Sequence, residues 1–201
     1  MSGAIRQSLA REERNLVKIA MIGAGSVVFV KNLLTDILDL KELGRVVISL
    51  HDIDAERLET GGMMARWTAA ALGADAAVEE HPDRRAALEG SDFVINMVQI
   101  GMHEATLIDF DIPRKYGLKQ TIADTVGIGG IFRGLRTIPF MMELVSDMRE
   151  LCPQAVLLNY TNPMSILTWR SIGPIRSSAW SACATMCNTR RATSPDISGS
   201  T

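Results

Sequence analysis

Several short clusters in this chain of 201 residues carry groups that could do chemistry. The first is IGAGSVVF, residues 22–29. Gly23 and Gly25 would allow a tight turn and close backbone approach, and Ser26 adds a hydroxyl, where a dinucleotide pyrophosphate would meet the amides of a helix N-terminus. Val28 stands in place of the third glycine of the usual G-x-G-x-x-G, so the match is partial. A βα turn that needs glycines explains the cluster about as well. The second cluster is HDID, residues 51–54. Asp52 lies 27 residues after Gly25, where a carboxylate can accept both ribose hydroxyls. An acid there favours NAD over NADP, whose extra phosphate it repels. Asp54 fits the N-cap of the next helix, with an assisting role at the ribose left open. Asn96 and Gln99, in INMVQIG, close a strand beside the expected nicotinamide side, and ordinary turn chemistry is the competing reading.

Two further clusters suit a polar ligand. ADTVGIGGIFRGLRTIP, residues 123–139, joins Asp124, glycines, Arg133 and Arg136 ahead of a helix. It reads as a mobile loop folding over a ligand, or else as a glycine hinge with surface arginines. In NYTNPM, Asn159 and Asn162 carry amides that both donate and accept, which suits sugar hydroxyls; an Asx turn fixed by Pro163 is the alternative. Near the end, WSACATMCNTRR places Cys183 and Cys187 at the spacing of half a metal site, with no clear strand or helix around them.

These clusters need elements to hold them. Apolar runs at 17–23, 46–52, 76–81, 92–98 and 155–163 read as strands. Helical spacing is predicted over 28–40, 54–73, a short stretch at 82–88, 104–117 with an interruption near Pro113, and 135–152 after a loop at 123–134. Alternating strands and helices predict an α/β fold, a doubly wound Rossmann-type parallel sheet. Ligands of such sheets bind beyond the carboxyl ends of the strands, where the clusters fall. The expected organisation is an N-terminal tail at 1–15, a dinucleotide-binding domain at 16–169 and an irregular segment at 170–201.

Composition narrows the partners. With 47% hydrophobic and 22% charged residues the chain reads as a globular protein, and a net charge of -2 gives no electrostatic case for nucleic acid or an anionic membrane. The charged start MSGAIRQSLAREERN lacks the apolar run of a signal peptide, and no window approaches the length of a membrane span. Cys152, Cys183 and Cys187 do not form a disulfide framework, which points to a reducing cytoplasm.

In this order, GAGSVVF, HDID, INMVQIG, DTVGIGGIFRGLRTIP and NYTNPM resemble the NAD-dependent glycosidases of glycoside hydrolase family 4, most closely their α-galactosidase and α-glucosidase branch. The resemblance covers about residues 16–169. It implies a lactate/malate dehydrogenase-like N-terminal domain and a small-molecule glycoside as substrate, in an enzyme that is a homo-oligomer. It also implies a redox–elimination reaction outside the usual two-carboxylate scheme. NAD+ takes hydride from C3 of the sugar, a base removes the acidified C2 proton, the C1 group leaves, water adds and the hydride returns. Mn2+ would hold O2 and O3 as a Lewis acid. Asn162 corresponds to the family's sugar-binding asparagine, and Asp124 falls in its substrate-side loop. Two other readings stay open: an NAD-dependent 2-hydroxyacid dehydrogenase of the lactate/malate type, whose usual arginine and histidine signatures are not visible, and a non-catalytic NAD-binding fragment.

The same resemblance requires Gly-Leu-Cys-His about 20 residues after Asn162, with a further histidine ligand and the general base in a second domain. His51, His81 and His103 lie far upstream of that register, so no catalytic residue or metal ligand is assigned and the second domain is expected to be missing. A one-nucleotide slip near Trp169 accounts for this. From Trp180, TGG TCG GCC TGT GCC ACC ATG TGC AAT ACA is a permitted coding. Read from the last G of TGG it gives Val-Gly-Leu-Cys-His-His-Val-Gln-Tyr. The segment from about Arg170 is therefore expected to be out of frame, and the chain inactive as a glycosidase.

Overall fold

The computed structural model describes residues 16–120 and 125–172. Five strands, β1 (Leu16–Ile22), β2 (Arg45–His51), β3 (Ala76–His81), β4 (Phe93–Asn96) and β5 (Val156–Asn159), form one parallel sheet in the order β3-β2-β1-β4-β5. Helices α1 (Val27–Leu38), α2 (Ala55–Leu72), α3 (Arg84–Leu88), α4 (Met102–Lys115), α5 (Gly127–Leu151) and α6 (Met164–Ile172) follow or connect them. The expected doubly wound sheet is present. The chain steps outward from β1 to β3, then returns past β1 to lay down β4 and β5 on the other side. The direction of winding reverses between β1 and β4, which is where a crevice opens.

Both faces of the sheet are covered, which is why its central strands read as apolar runs. Ala20, Ile22, Val94 and Leu157 pack against Met141, Leu144, Val145 and Met148 of α5 and Leu167 of α6. The alternate residues Ile19, Met21, Ile48, Leu50 and Ile95 pack against Val30 and Leu34 of α1 and Leu58 and Ala65 of α2. Register then fixes the functional edge. Ile22 pairs with His51 and with Asn96, and Asn96 pairs with Asn159. Every loop that leaves these strands therefore starts from the same side of the sheet.

Local chemistry sets the helix ends. Asp54 caps α2 by accepting from the Arg57 N–H at 3.1 Å, and Gly73 closes it in the left-handed region at φ 61°. Asp83 caps α3 in the same way. Two ion-pair sets brace the helices. Arg84 and Arg85 both bind Asp147, tying α3 to α5. Asp109 of α4 receives two hydrogen bonds from Arg136 of α5, at 3.1 and 2.6 Å.

Three expectations need correction. The glycine-rich run expected to be loop through residue 134 is helical from Gly127 onward. Its glycines serve close packing: a Cβ on Gly130 would lie 2.9 Å from the Thr125 carbonyl, and one on Gly134 would press on Ile166 and Pro163. Pro113 does not interrupt α4, which continues to Lys115, so the proline sits only two residues from the end of the helix. Finally, α6 was not anticipated from the sequence, and it runs from Met164 to Ile172. Residues 1–15, Asp124, Cys183, Cys187 and the rest of 173–201 lie outside the described residues. Among the described residues no helix is long and apolar enough to cross a membrane.

Candidate functional site

The turn after β1 is built around the end of β2. Gly23 and Ala24 donate backbone N–H groups to the His51 carbonyl at 2.9 and 3.0 Å, and Gly23 takes φ +89°, a conformation that favours glycine. Asp52 Oδ2 then accepts the Gly25 N–H at 2.7 Å, while Oδ1 accepts the Asp54 N–H at 3.0 Å. Gly25 can carry no side chain here, because a Cβ would stand 2.7 Å from Asp52 Oδ2 and 2.8 Å from Arg57 Cβ. The small residues in this turn thus let Asp52 fold back onto it. Ser26 is the N-cap of α1, yet its side chain makes no capping bond, so its exposed hydroxyl remains beside the helix N-terminus. Gly61 of α2 completes the fit, since a Cβ there would meet the Ala24 carbonyl at 2.8 Å.

Across the switch point a cleft of about 230 Å³ is lined by Ser26, Phe29, Met97, Val98, Gln99, Arg133, Tyr160, Thr161 and Asn162. Of the residues expected at a site, the structure brings Ser26, Gln99 and Asn162 into this cleft and places Gly23, Gly25 and Asp52 in the adjoining turn. Gln99 is exposed, and its Nε2 donates to the Met102 carbonyl and Thr106 Oγ1, both at 3.2 Å. Unlike Gln99 and Asn162, Asn96 and Asn159 are fully buried and stand outside the cleft lining. Asn96 Nδ2 donates to Asn159 Oδ1 at 2.9 Å and to Thr161 Oγ1 at 3.3 Å, and Asn159 Nδ2 donates to the Thr161 carbonyl at 2.9 Å. The pleat explains the difference. On β4 and β5 these side chains point into the layer under α5, and only the residues after the strands reach the cleft.

Phe29, Arg133, Tyr160 and Thr161 line the cleft without having been singled out as contacts. The signal available for Tyr160 and Thr161 was their place between the two asparagines of NYTNPM. Phe29 and Tyr160 stack edge to face at 6.3 Å. Burial, with the Asp36 carboxylate adding to it, pushes the Tyr160 phenol above its ordinary value, so it stays protonated. His51 Nδ1 lies 2.9 Å from the His81 carbonyl, at the β2–β3 side of the sheet and outside the cleft lining. Among the described residues no group of three or more His, Cys, Asp or Glu is placed to hold a metal ion.

An open parallel sheet with glycines, an anchored carboxylate and a cleft at its switch point defines the dinucleotide-binding class of α/β domains. The model of the family described as family 4 glycosyl hydrolase matches residues 18–197, and the chain belongs to that family. An α-galactosidase of Bacillus subtilis (strain 168) is 49% identical over 152 residues, 75% of this chain and 35% of that protein. The 6-phospho-β-glucosidase of Thermotoga maritima, solved with manganese, NAD+ and glucose-6-phosphate, superposes with a TM-score of 0.71 at 25% identity, over 86% of this chain and 40% of that one. A lactate dehydrogenase of Cryptosporidium parvum shares the fold, with a TM-score of 0.50 at 20% identity, over 78% of this chain and 40% of that one. The chain spans about a third of the length of the curated relatives it matches, 35% and 32% of two α-galactosidases.

Proposed function

We propose that this chain carries the NAD-binding part of a cytoplasmic family 4 glycosidase acting on α-galactosides or α-glucosides. The observation that supports it best is Asp52, whose carboxylate is fixed by the Gly25 and Asp54 amides beside the free N-terminus of α1. That arrangement fits a dinucleotide: the pyrophosphate would lie on the α1 amides and the Ser26 hydroxyl, and the ribose hydroxyls on Asp52. The fixed negative charge of Asp52 excludes the 2′-phosphate of NADP. Gln99 and Asn162 stand further along the cleft, where polar groups would orient a nicotinamide and a sugar. Bound NAD+ supplies hydride chemistry to such a sugar. The chain's own residues bind and orient, and the phenol of Tyr160 is held as a neutral donor on the cleft wall. Mn2+ belongs to the reaction the family implies, and no cluster among the described residues fits it.

Calorimetric titration with NAD+ and with NADP+ tests the reading. Saturable one-to-one binding of NAD+, at least about tenfold tighter than NADP+, is expected. No binding of NAD+ by folded protein, or a preference for NADP+, would overturn it.

A further inference from the structure

Resting on the dinucleotide reading of the cleft, we propose that Thr161 is a positioning residue that holds the cofactor wall of the cleft against the sugar wall. The β4–β5 ladder ends at the Asn96–Asn159 pair, followed by a last backbone bond from the Tyr160 N–H to the Asn96 carbonyl at 2.8 Å. Beyond that, the backbone of Thr161 turns to Asn159 instead of continuing the ladder toward 97–99. The Thr161 hydroxyl spans the gap by donating to the Val98 carbonyl at 2.9 Å. Its backbone is equally committed: its N–H donates to Asn159 Oδ1 at 3.2 Å and its carbonyl accepts from Asn159 Nδ2 at 2.9 Å. Asn96 Nδ2 donates to Thr161 Oγ1 from behind.

Both ends of this bracket matter to the cleft. Val98 precedes Gln99, and its backbone lies against the glycine turn, where a Cβ on Gly23 would meet Val98 Cα and N at 3.1 Å. Thr161 precedes Asn162. Val98 is thus wedged between the turn that would receive the cofactor and the strand exit that presents Asn162. Asn96 Oδ1 is buried without a hydrogen-bond partner, while its Nδ2 holds Asn159 and Thr161. An orphaned buried carbonyl is costly, and the hydrogen bonds made by the donor half of the same amide offset that cost.

The test compares the unmodified chain with Thr161→Val, which keeps the shape and loses the hydroxyl, and Thr161→Ser, which does the reverse. NAD+ affinity and Tm are read on each. Thr161→Val is expected to weaken NAD+ binding about tenfold, while Thr161→Ser stays within about twofold of the unmodified chain. Amide exchange at 97–99 is expected to quicken in the valine variant only. Thr161→Ala replaces the valine variant if that protein does not fold. Equal NAD+ affinity in the valine and unmodified chains, or equal weakening by serine and valine, overturns the proposal. No NAD+ binding by the unmodified chain overturns the dinucleotide reading itself, and this inference with it.

Discussion

Asp52 shows how a single side chain links the sequence pattern to the site. Its type and distance from the glycines were legible, because a carboxylate at the end of a second strand has few other uses next to a glycine turn. The Gly25 contact was not, since it depends on how closely β1 and β2 bring the two loops. Replacing Asp52 with Asn removes the negative charge that receives the Gly25 amide and, in the proposed complex, the ribose. NAD+ affinity is expected to fall about 10- to 100-fold in a titration, the range for a charge-assisted hydrogen bond of about 1.5–3 kcal/mol. Gly25→Ala is expected to abolish NAD+ binding in the same titration, because the new Cβ would need the space of Asp52 Oδ2, only 2.7 Å away. Asn96 and Asn159 teach the opposite lesson. A strand-end residue can face the cleft or the layer beneath it, a choice the sequence does not encode locally, and both amides are buried in the layer.

At the scale of elements, the helices are fastened to one another by charge as well as by apolar contact. Asp109 is almost fully buried, and Arg136, which also donates to the Ile100 carbonyl at 3.2 Å, is its ion-pair partner. Removing the carboxylate leaves that guanidinium partly buried and unpaired. Asp109→Ala is expected to cost about 3 kcal/mol in denaturant unfolding and to loosen the α4–α5 pair, because breaking one side of a buried pair costs more than the pair contributes. At the sheet edge, burial alone would raise the pKa of Glu79, but hydrogen bonds from His81 and Lys18 outweigh it and hold it below its ordinary value of 4.5. A lowered folded-state pKa contributes stability that is present above about pH 4.5 and is lost as pH falls through the folded value. Thermal unfolding from neutral to acid pH checks this: Glu79→Gln should be less stable than the unmodified chain near neutrality and converge with it in acid. The start of α5 shows where element reading failed. Glycines at 127, 129, 130 and 134 signal a loop locally, and only packing against Thr125, Pro163 and Ile166 makes a helix the better use of them.

For the molecule as a whole, the chain covers 35% of its Bacillus subtilis relative, and the binding and chemical halves of the family's reaction are expected to separate. Assays on nitrophenyl α-galactoside and α-glucoside with NAD+ and Mn2+ are expected to stay at background while NAD+ still binds; turnover would refute the separation. The family match continues to residue 197, across the segment whose reading frame is in question, and the coding DNA decides that question. A Gly-Leu-Cys-His reading in an alternative frame across Trp180 to Thr189 is expected, and its absence from both alternative frames removes the frame-slip proposal. The sequence by itself determined the strand–helix alternation, the parallel sheet and the clusters at its carboxyl edge, because hydrophobic period, glycine placement and caps act over a few neighbouring residues. Tertiary structure alone decided which of those polar residues line the cleft. That choice depends on register between β1, β4 and β5 and on the packing of α5 over them, and contacts such as Thr161 to Val98 join residues 63 positions apart.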